Sequence, residues 1–159
     1  EMNNDLNETN PPGTFITSIV GSYNLKTDIV EISNAGHQPA ILRKGDNFTE
    51  FPSSSTPLAV IKQKSIDAYK LETFKLDGGR IYCFTDGFSE CIDENNNEIG
   101  IEGVKNLVKK HKNNSLKKEL ENATEEIRLK SLKKDYKEEG LKKNGDILED
   151  DLTIIGIGK

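Results

Sequence analysis

Four apolar residues in succession, Ile81, Tyr82, Cys83 and Phe84, constrain the fold of this chain more than any other stretch. The run has no polar face and is rich in β-branched and aromatic side chains. It reads as a short strand buried on both sides. It stops at Thr85, Asp86 and Gly87, which lead into Phe88, Ser89 and Glu90. A carboxylate at the tip of a buried strand, followed by a residue without a Cβ, has two uses. It holds a cation while a ligand approaches the backbone, or it bonds its own backbone in a turn.

A second acidic segment weighs on that choice. Glu149, Asp150 and Asp151 stand directly before another apolar run of strand character, Leu152 to Ile157. One carboxylate ends a strand and another precedes one. If the two strands are antiparallel neighbours, the end of the first and the start of the second share one edge of the sheet. Asp86 and Asp150 then converge. Two carboxylates brought together repel unless a proton or a metal lies between them, and a hard, oxygen-preferring ion such as Mg²⁺ or Mn²⁺ suits that position.

At this point the chain resembles a known family. Residues 84–90, read as F-T-D-G-F-S-E, are similar to the T-D-G…E segment of the SpoIIE-type metal-dependent serine/threonine protein phosphatases, the bacterial branch of the type-2C (PPM) superfamily. Residues 149–153 (E-D-D-L-T) resemble that family's closing D-D-x-T segment. Residues 34–39 (N-A-G-H-Q-P) resemble its N-A-G-H-x-P segment, and residues 13–17 (G-T-F-I-T) resemble the F-v-T strand before it. The four segments occur in the family's order and span nearly the whole chain.

The resemblance implies that Asp86 and Asp150 are metal ligands, with Asp151 fixing the loop and Thr153 beside it. Gly87 would keep the backbone close to the metals, and Asn34, Gly36 and His37 would shape the floor of the site. His37 is open to two roles: general acid, or a residue that fixes the Gly36 turn, the second being preferred. The implied chemistry is a two-metal site of Mn²⁺ or Mg²⁺ that activates water against a phosphate monoester. The family's bridging aspartate lies in a D-x-x-G-H-G segment ahead of the F-v-T strand, and nothing in residues 1–13 matches it. The expectation is therefore an incomplete two-metal site in a chain that holds the later part of the domain, its N-terminal portion missing.

The implied substrate is a phosphoserine or phosphothreonine protein, an anti-sigma-factor antagonist of STAS type in a bacterial partner-switching pathway, with an upstream sensor domain as a further partner. Two alternatives stand beside this reading. One is a catalytically incomplete phosphatase-like module that acts in protein binding or regulation, and the other is a hydrolase of small phosphoesters.

Composition narrows the classes. At 159 residues the chain is of single-domain length. Its net charge of −5, with basic residues confined to mixed-charge segments, argues against nucleic acid as a partner. Its two cysteines, Cys83 and Cys91, lack metal or disulfide spacing and read as reduced thiols of a cytoplasmic protein. Cys83 lies inside a strand with no phosphate-cradling loop after it, which disfavours a cysteine nucleophile. No apolar run reaches membrane-spanning length.

Along the chain, strands are expected over 14–20, 29–33, 40–43, 48–51, 68–76 and 81–84, with hairpin turns at 26–28, 45–46 and 77–79. Residues 1–10 would be the tail of a helix. The 93–104 stretch imitates a calcium loop in its first positions, but it has Glu98 where glycine is required and Val104 where a bidentate glutamate is required. It is read as a polar surface loop. Helical periodicity covers 101–112, and Ser115 caps a second helix bearing Leu116, Leu120, Ala123 and Ile127 on one face. His111 is a helix-face residue in this reading, Glu90 a residue that touches the site only indirectly, and 130–146 a charged helix end followed by a loop. Strands in the first half and helices between the last two strands fit α+β. The family resemblance sharpens that to an αββα sandwich of two antiparallel sheets flanked by helices, residues 1–159 forming part of one phosphatase domain.

Overall fold

The computed structural model describes residues 1–93, 95, 97–138 and 151–158, with side chains left aside over 131–138. The described residues form seven strands and four helices in two compact units, Glu1–Cys83 and Phe84–Lys159. The class is α+β, with both sheets of the first unit antiparallel.

In the first unit, α1 (Met2–Thr9) leads to β1 (Ser18–Asn24) and β2 (Ile29–Ala35), a hairpin turned at residues 25–28. Next come β3 (Ala40–Lys44) and β4 (Asn47–Phe51), a second hairpin, then β5 (Glu72–Lys75) and the start of β6 (Arg80–Phe84). One sheet runs β1-β2-β5 and the other places β3 between β4 and β6. Each strand contributes alternate residues to a shared core. Val30, Ile32, Ala40, Leu42, Leu76 and Ile81 are buried there, with Ile19, Tyr23, Phe51, Phe74 and Cys83 packed against them. Phe51 and Phe74 stack at 4.3 Å between ring centroids. Fully burying each large aliphatic side chain is worth roughly 1.5–3 kcal/mol, which makes this sandwich the main source of the unit's stability.

The run at 81–84 is buried on both faces as its pattern requires. Ile81 and Cys83 face the sandwich core, while Tyr82 and Phe84 on the other face are also buried. Tyr82 carries its hydroxyl inward because Arg43, itself 6% exposed, donates to it from Nη2 at 2.8 Å and from Nε at 3.2 Å. A buried guanidinium is tolerated only when its donors are spent in this way.

One expected strand is shifted along the chain and another is shorter in the structure. Regular pairing in the first begins at Ser18, because Ile16 forms an isolated bridge with Leu58 instead. The sixth-decade segment turns through a 3₁₀ turn at Ile66–Ala68 before β5 starts at Glu72. Three asparagines of α1 explain why the 59–63 segment stays irregular: Asn3, Asn4 and Asn7 donate to the carbonyls of Ile61, Gln63 and Ala59. Asn3 and Asn4 also accept from the Ala59 and Gln63 amides. These side chains replace a strand partner for that stretch of backbone.

In the second unit, α2 (Asp86–Ser89) packs on α3 (Gly100–Lys110), α3 on α4 (Leu116–Glu138), and α4 on β7 (Ile154–Gly158). Val104, Leu107 and Val108 of α3 and Ala123 and Ile127 of α4 are buried, as helical spacing predicts. Ser115 caps α4 by accepting from the Lys118 amide at 3.4 Å. His111 ends α3 and lies 3.4 Å from the Glu126 carboxylate.

Burial alternates along β7, although its run is apolar. Ile154 and Gly156 are half-buried, whereas Ile155 is 60% and Ile157 41% exposed. A Cβ on Gly156 would lie 2.8 Å from Leu116 Cδ1, so the covered face is the one that meets α4. Of the charged stretch 130–146, the helix extends to Glu138 and 139–150 lie outside the described residues.

Candidate metal centre

Phe84 ends β6 and Thr85 turns away from the strand, with its backbone extended at φ −78° and ψ 160°. Asp86 then opens a single helical turn, in which Asp86 O accepts from the Glu90 amide at 2.8 Å and from the Ser89 hydroxyl at 3.0 Å. The Asp86 side chain is exposed, and no described residue hydrogen-bonds its carboxylate. The alternative in which this carboxyl caps its own turn is therefore not the arrangement seen. Burial of Phe88 beneath the turn fixes its direction.

The same turn is bonded to the segment that starts β7. Thr85 N donates to Thr153 O at 3.0 Å, Thr153 N donates to Thr85 Oγ1 at 3.0 Å, and Thr85 Oγ1 donates to Asp151 O at 2.7 Å. Gly87 lies against this junction, where a Cβ would meet Asp151 O at 3.0 Å and Leu152 Cδ2 at 3.2 Å. Its lack of a side chain thus allows the Thr85–Gly87 turn and the Asp151–Thr153 segment to approach. Asp151 is exposed like Asp86. Asp150, the other expected ligand, lies outside the described residues. Thr153 joins through its backbone and Thr85 through its hydroxyl. Sequence reading singled out Thr153 and passed over Thr85, whose only signal was a hydroxyl at the point where a strand yields to Asp-Gly.

A carboxylate is a ligand of the kind a hard divalent cation takes. Asp86 offers carboxylate oxygens in water-accessible positions, with no lysine or arginine already paired to them among the described residues. Among the described residues no group of three or more His, Cys, Asp or Glu side chains is placed to hold a metal.

Asn34, Gly36 and His37 belong to the first unit and form a turn held against residues 51–57. Asn34, 3% exposed, accepts from the His37 amide at 2.9 Å and donates to the carbonyls of Gln38 and Phe51. Gly36 has φ +75°, its amide donates to Ser53 Oγ at 2.7 Å, and a Cβ there would fall 2.2 Å from Pro57 Cγ. Only glycine satisfies both the left-handed backbone and the contact. His37 Nδ1 accepts from the Gln38 amide at 2.7 Å, so Nδ1 is unprotonated in this arrangement and the neutral ring carries its proton on Nε2.

Other polar groups are occupied elsewhere. In the polar loop, Asp93 accepts from the amides of Asn97 and Asn95, and those two N–H groups hold its carboxyl below the ordinary range. The carboxylate caps its own turn, in keeping with the failed calcium-loop pattern. Burial pushes the Cys83 thiol up, away from the thiolate a nucleophile needs. Glu90 is exposed and closes the Asp86 turn through its amide.

Solved structures similar to this chain include phosphatase domains. The PP2C domain of SiaA from Pseudomonas aeruginosa is 15% identical with a TM-score of 0.71, covering 98% of this chain and 56% of that one. The phosphatase domain of SpoIIE from Bacillus subtilis, presoaked with manganese, is 17% identical at 0.60, covering 89% of this chain and 56% of that one. The RsbU and RsbW domains of a Mycobacterium tuberculosis protein are 18% identical at 0.57, covering 97% and 38%. The chain thus spans 38% to 56% of the length of these structures, and at these identities the likeness establishes the fold. No curated protein is significantly similar to it in sequence. No helix among the described residues is long and apolar enough to cross a membrane. The family model described as stage II sporulation protein E matches residues 1–158, and the chain accordingly belongs to the SpoIIE family.

Proposed function

We propose that residues 1–159 are part of a single metal-dependent protein serine/threonine phosphatase domain that removes phosphate from phosphoserine or phosphothreonine. The observation that carries this reading is the three-bond junction between Thr85 and the Asp151–Thr153 segment, which joins the two acidic ends while Asp86 stays exposed and unpaired among the described residues. In this reading Asp86 and Asp150 hold Mn²⁺ or Mg²⁺, and Asp151 keeps the loop in place. When bound, the metal pair lowers the pKa of a water so that hydroxide is available near neutrality and stabilises the oxygens of the in-line displacement.

The chain's own residues then have limited tasks. Asp86 supplies ligand oxygens at the end of a rigid strand, and Gly87 leaves room for the approach of the second acidic segment. His37 fixes its turn: an Nδ1 committed to the Gln38 amide favours that role over general acid. The substrate class is a folded phosphoprotein of a partner-switching pathway, an anti-sigma-factor antagonist of STAS type. Membership of a family that includes sporulation protein E, and likeness to a protein with RsbU and RsbW domains, support that choice.

The test is Mn²⁺-dependent phosphate release from a phosphoserine STAS protein, with Asp86→Asn as control. Metal-dependent turnover that Asp86→Asn abolishes supports the reading. Turnover that survives the substitution overturns it, and no turnover by the complete protein with any divalent ion leaves the non-catalytic binding module.

A further inference from the structure

The Thr85 hydroxyl works in two directions at once. It donates to the Asp151 carbonyl at 2.7 Å and accepts from the Thr153 amide at 3.0 Å, while the Thr85 amide donates to the Thr153 carbonyl at 3.0 Å. A hydroxyl has one proton to give and two lone pairs, so the bond to Asp151 spends its proton and the bond from Thr153 uses one lone pair. Its neighbour Asp86 and its bonded partner Asp151 both carry exposed carboxylates. The side chain therefore bridges the two chain segments that carry Asp86 and Asp151. No Cβ intervenes at Gly87, where Asp151 O would sit 3.0 Å from one.

We infer that Thr85 is a positioning residue for the metal centre: its hydroxyl sets the distance between the Asp86 turn and the Asp151 segment, and so sets cation affinity without touching the cation. The inference rests on the functional reading above. It differs from a capping role, because Thr85 makes no side-chain bond to the helical turn that follows it. It requires a hydroxyl and no particular shape beyond Cβ. Serine keeps both bonds, whereas valine keeps the shape and loses them.

Amide hydrogen exchange by NMR, combined with Mn²⁺ line broadening in the complete protein, tests it. Thr85→Val is expected to speed exchange of the Thr153 amide and to raise the Mn²⁺ concentration that half-broadens the Asp86 and Asp151 amide signals by about tenfold or more, the usual scale for groups that orient a ligand shell. Thr85→Ser is expected to leave both within about twofold, because the hydroxyl and its two bonds are retained. Thr85→Ala replaces the valine variant if that chain does not fold.

Faster exchange with unchanged Mn²⁺ dependence makes Thr85 merely structural and overturns the inference. Loss of Mn²⁺ affinity in the serine variant also overturns it, since the hydroxyl is then not what matters. Absence of Mn²⁺ broadening in the unsubstituted complete protein is a separate result. It brings down the metal-centre reading itself, and the positioning role with it, whatever the exchange data show.

Discussion

Two turns of this protein carry residues of catalytic type, and they use them in opposite ways. In the Asn34–His37 turn, the functional groups are spent on the turn itself. Asn34 makes three bonds to nearby backbone, and His37 Nδ1 and the Gly36 amide are each engaged within the same unit. In the Thr85–Gly87 turn, a hydroxyl joins two segments and the neighbouring carboxylate is left exposed. The first arrangement builds a rigid surface. The second leaves the Asp86 carboxylate exposed and unpaired among the described residues. Residue type alone does not separate the two. The distinction lies in whether the polar atoms already have partners.

Substitutions that break each turn should sharpen this contrast, and they fall in order of their effect on stability. Gly36→Ala should be the most damaging. It forces a side chain into a left-handed backbone and against Pro57, at a combined cost of about 2–4 kcal/mol measurable by urea unfolding. Asn34→Ala leaves the His37 amide and two carbonyls to find other partners in a buried place, and about 1–3 kcal/mol should be lost by the same measurement.

The Asp93 loop should show a smaller, pH-dependent effect. Its folded carboxyl titrates below the ordinary value of 3.8 because the Asn97 and Asn95 amides favour the charged form. The stability it adds is therefore present above the unfolded pKa and fades as pH falls through the lower folded value. Carbon-detected titration of Asp93 should place its midpoint below 3.8, and Asp93→Ala should remove the protection that the carboxylate gives the Asn97 amide. A midpoint at or above the ordinary value would contradict the turn geometry.

Asp86→Asn should do least to the fold, within about 0.5 kcal/mol, as befits an exposed and unpartnered surface group. The same variant should abolish Mn²⁺ broadening of the Asp86 and Asp151 amides. A clear loss of stability without loss of Mn²⁺ response would reverse the assignment of the two turns.

Much of this was legible in the residues. The 81–84 run is long enough, and unbroken enough by polar residues, to require burial on both faces. The α3 and α4 stripes follow 3.6-residue spacing, and Ser115 caps where a hydroxyl before an amphipathic run should. Legibility failed where a partner far away in the chain decides the outcome. Residues 14–17 have strand composition, yet Ile16 pairs with Leu58 and not within the β1–β2 ladder. Residues 68–71 alternate like a strand, but their neighbourhood turns through Ile66–Ala68 first. β7 is apolar throughout and still exposes Ile155, because α4 covers only the face that carries Gly156. Hydropathy reports what a residue prefers, not what is available to cover it.

The sequence by itself determined the elements, the α+β class, and the pair of acidic segments at the ends of apolar runs, because these follow from local periodicity and from charges placed next to strands. Only the tertiary structure decided which polar groups are free. It showed that Asn34 and His37 are tied to their own turn, and that the Asp86 carboxylate is unpartnered among the described residues. It also showed that a threonine passed over in the sequence bonds the two acidic segments together. The physical reason is that a hydrogen bond depends on donor and acceptor meeting within about 3 Å. For residues as distant along the chain as Thr85 and Thr153, folding alone brings that about.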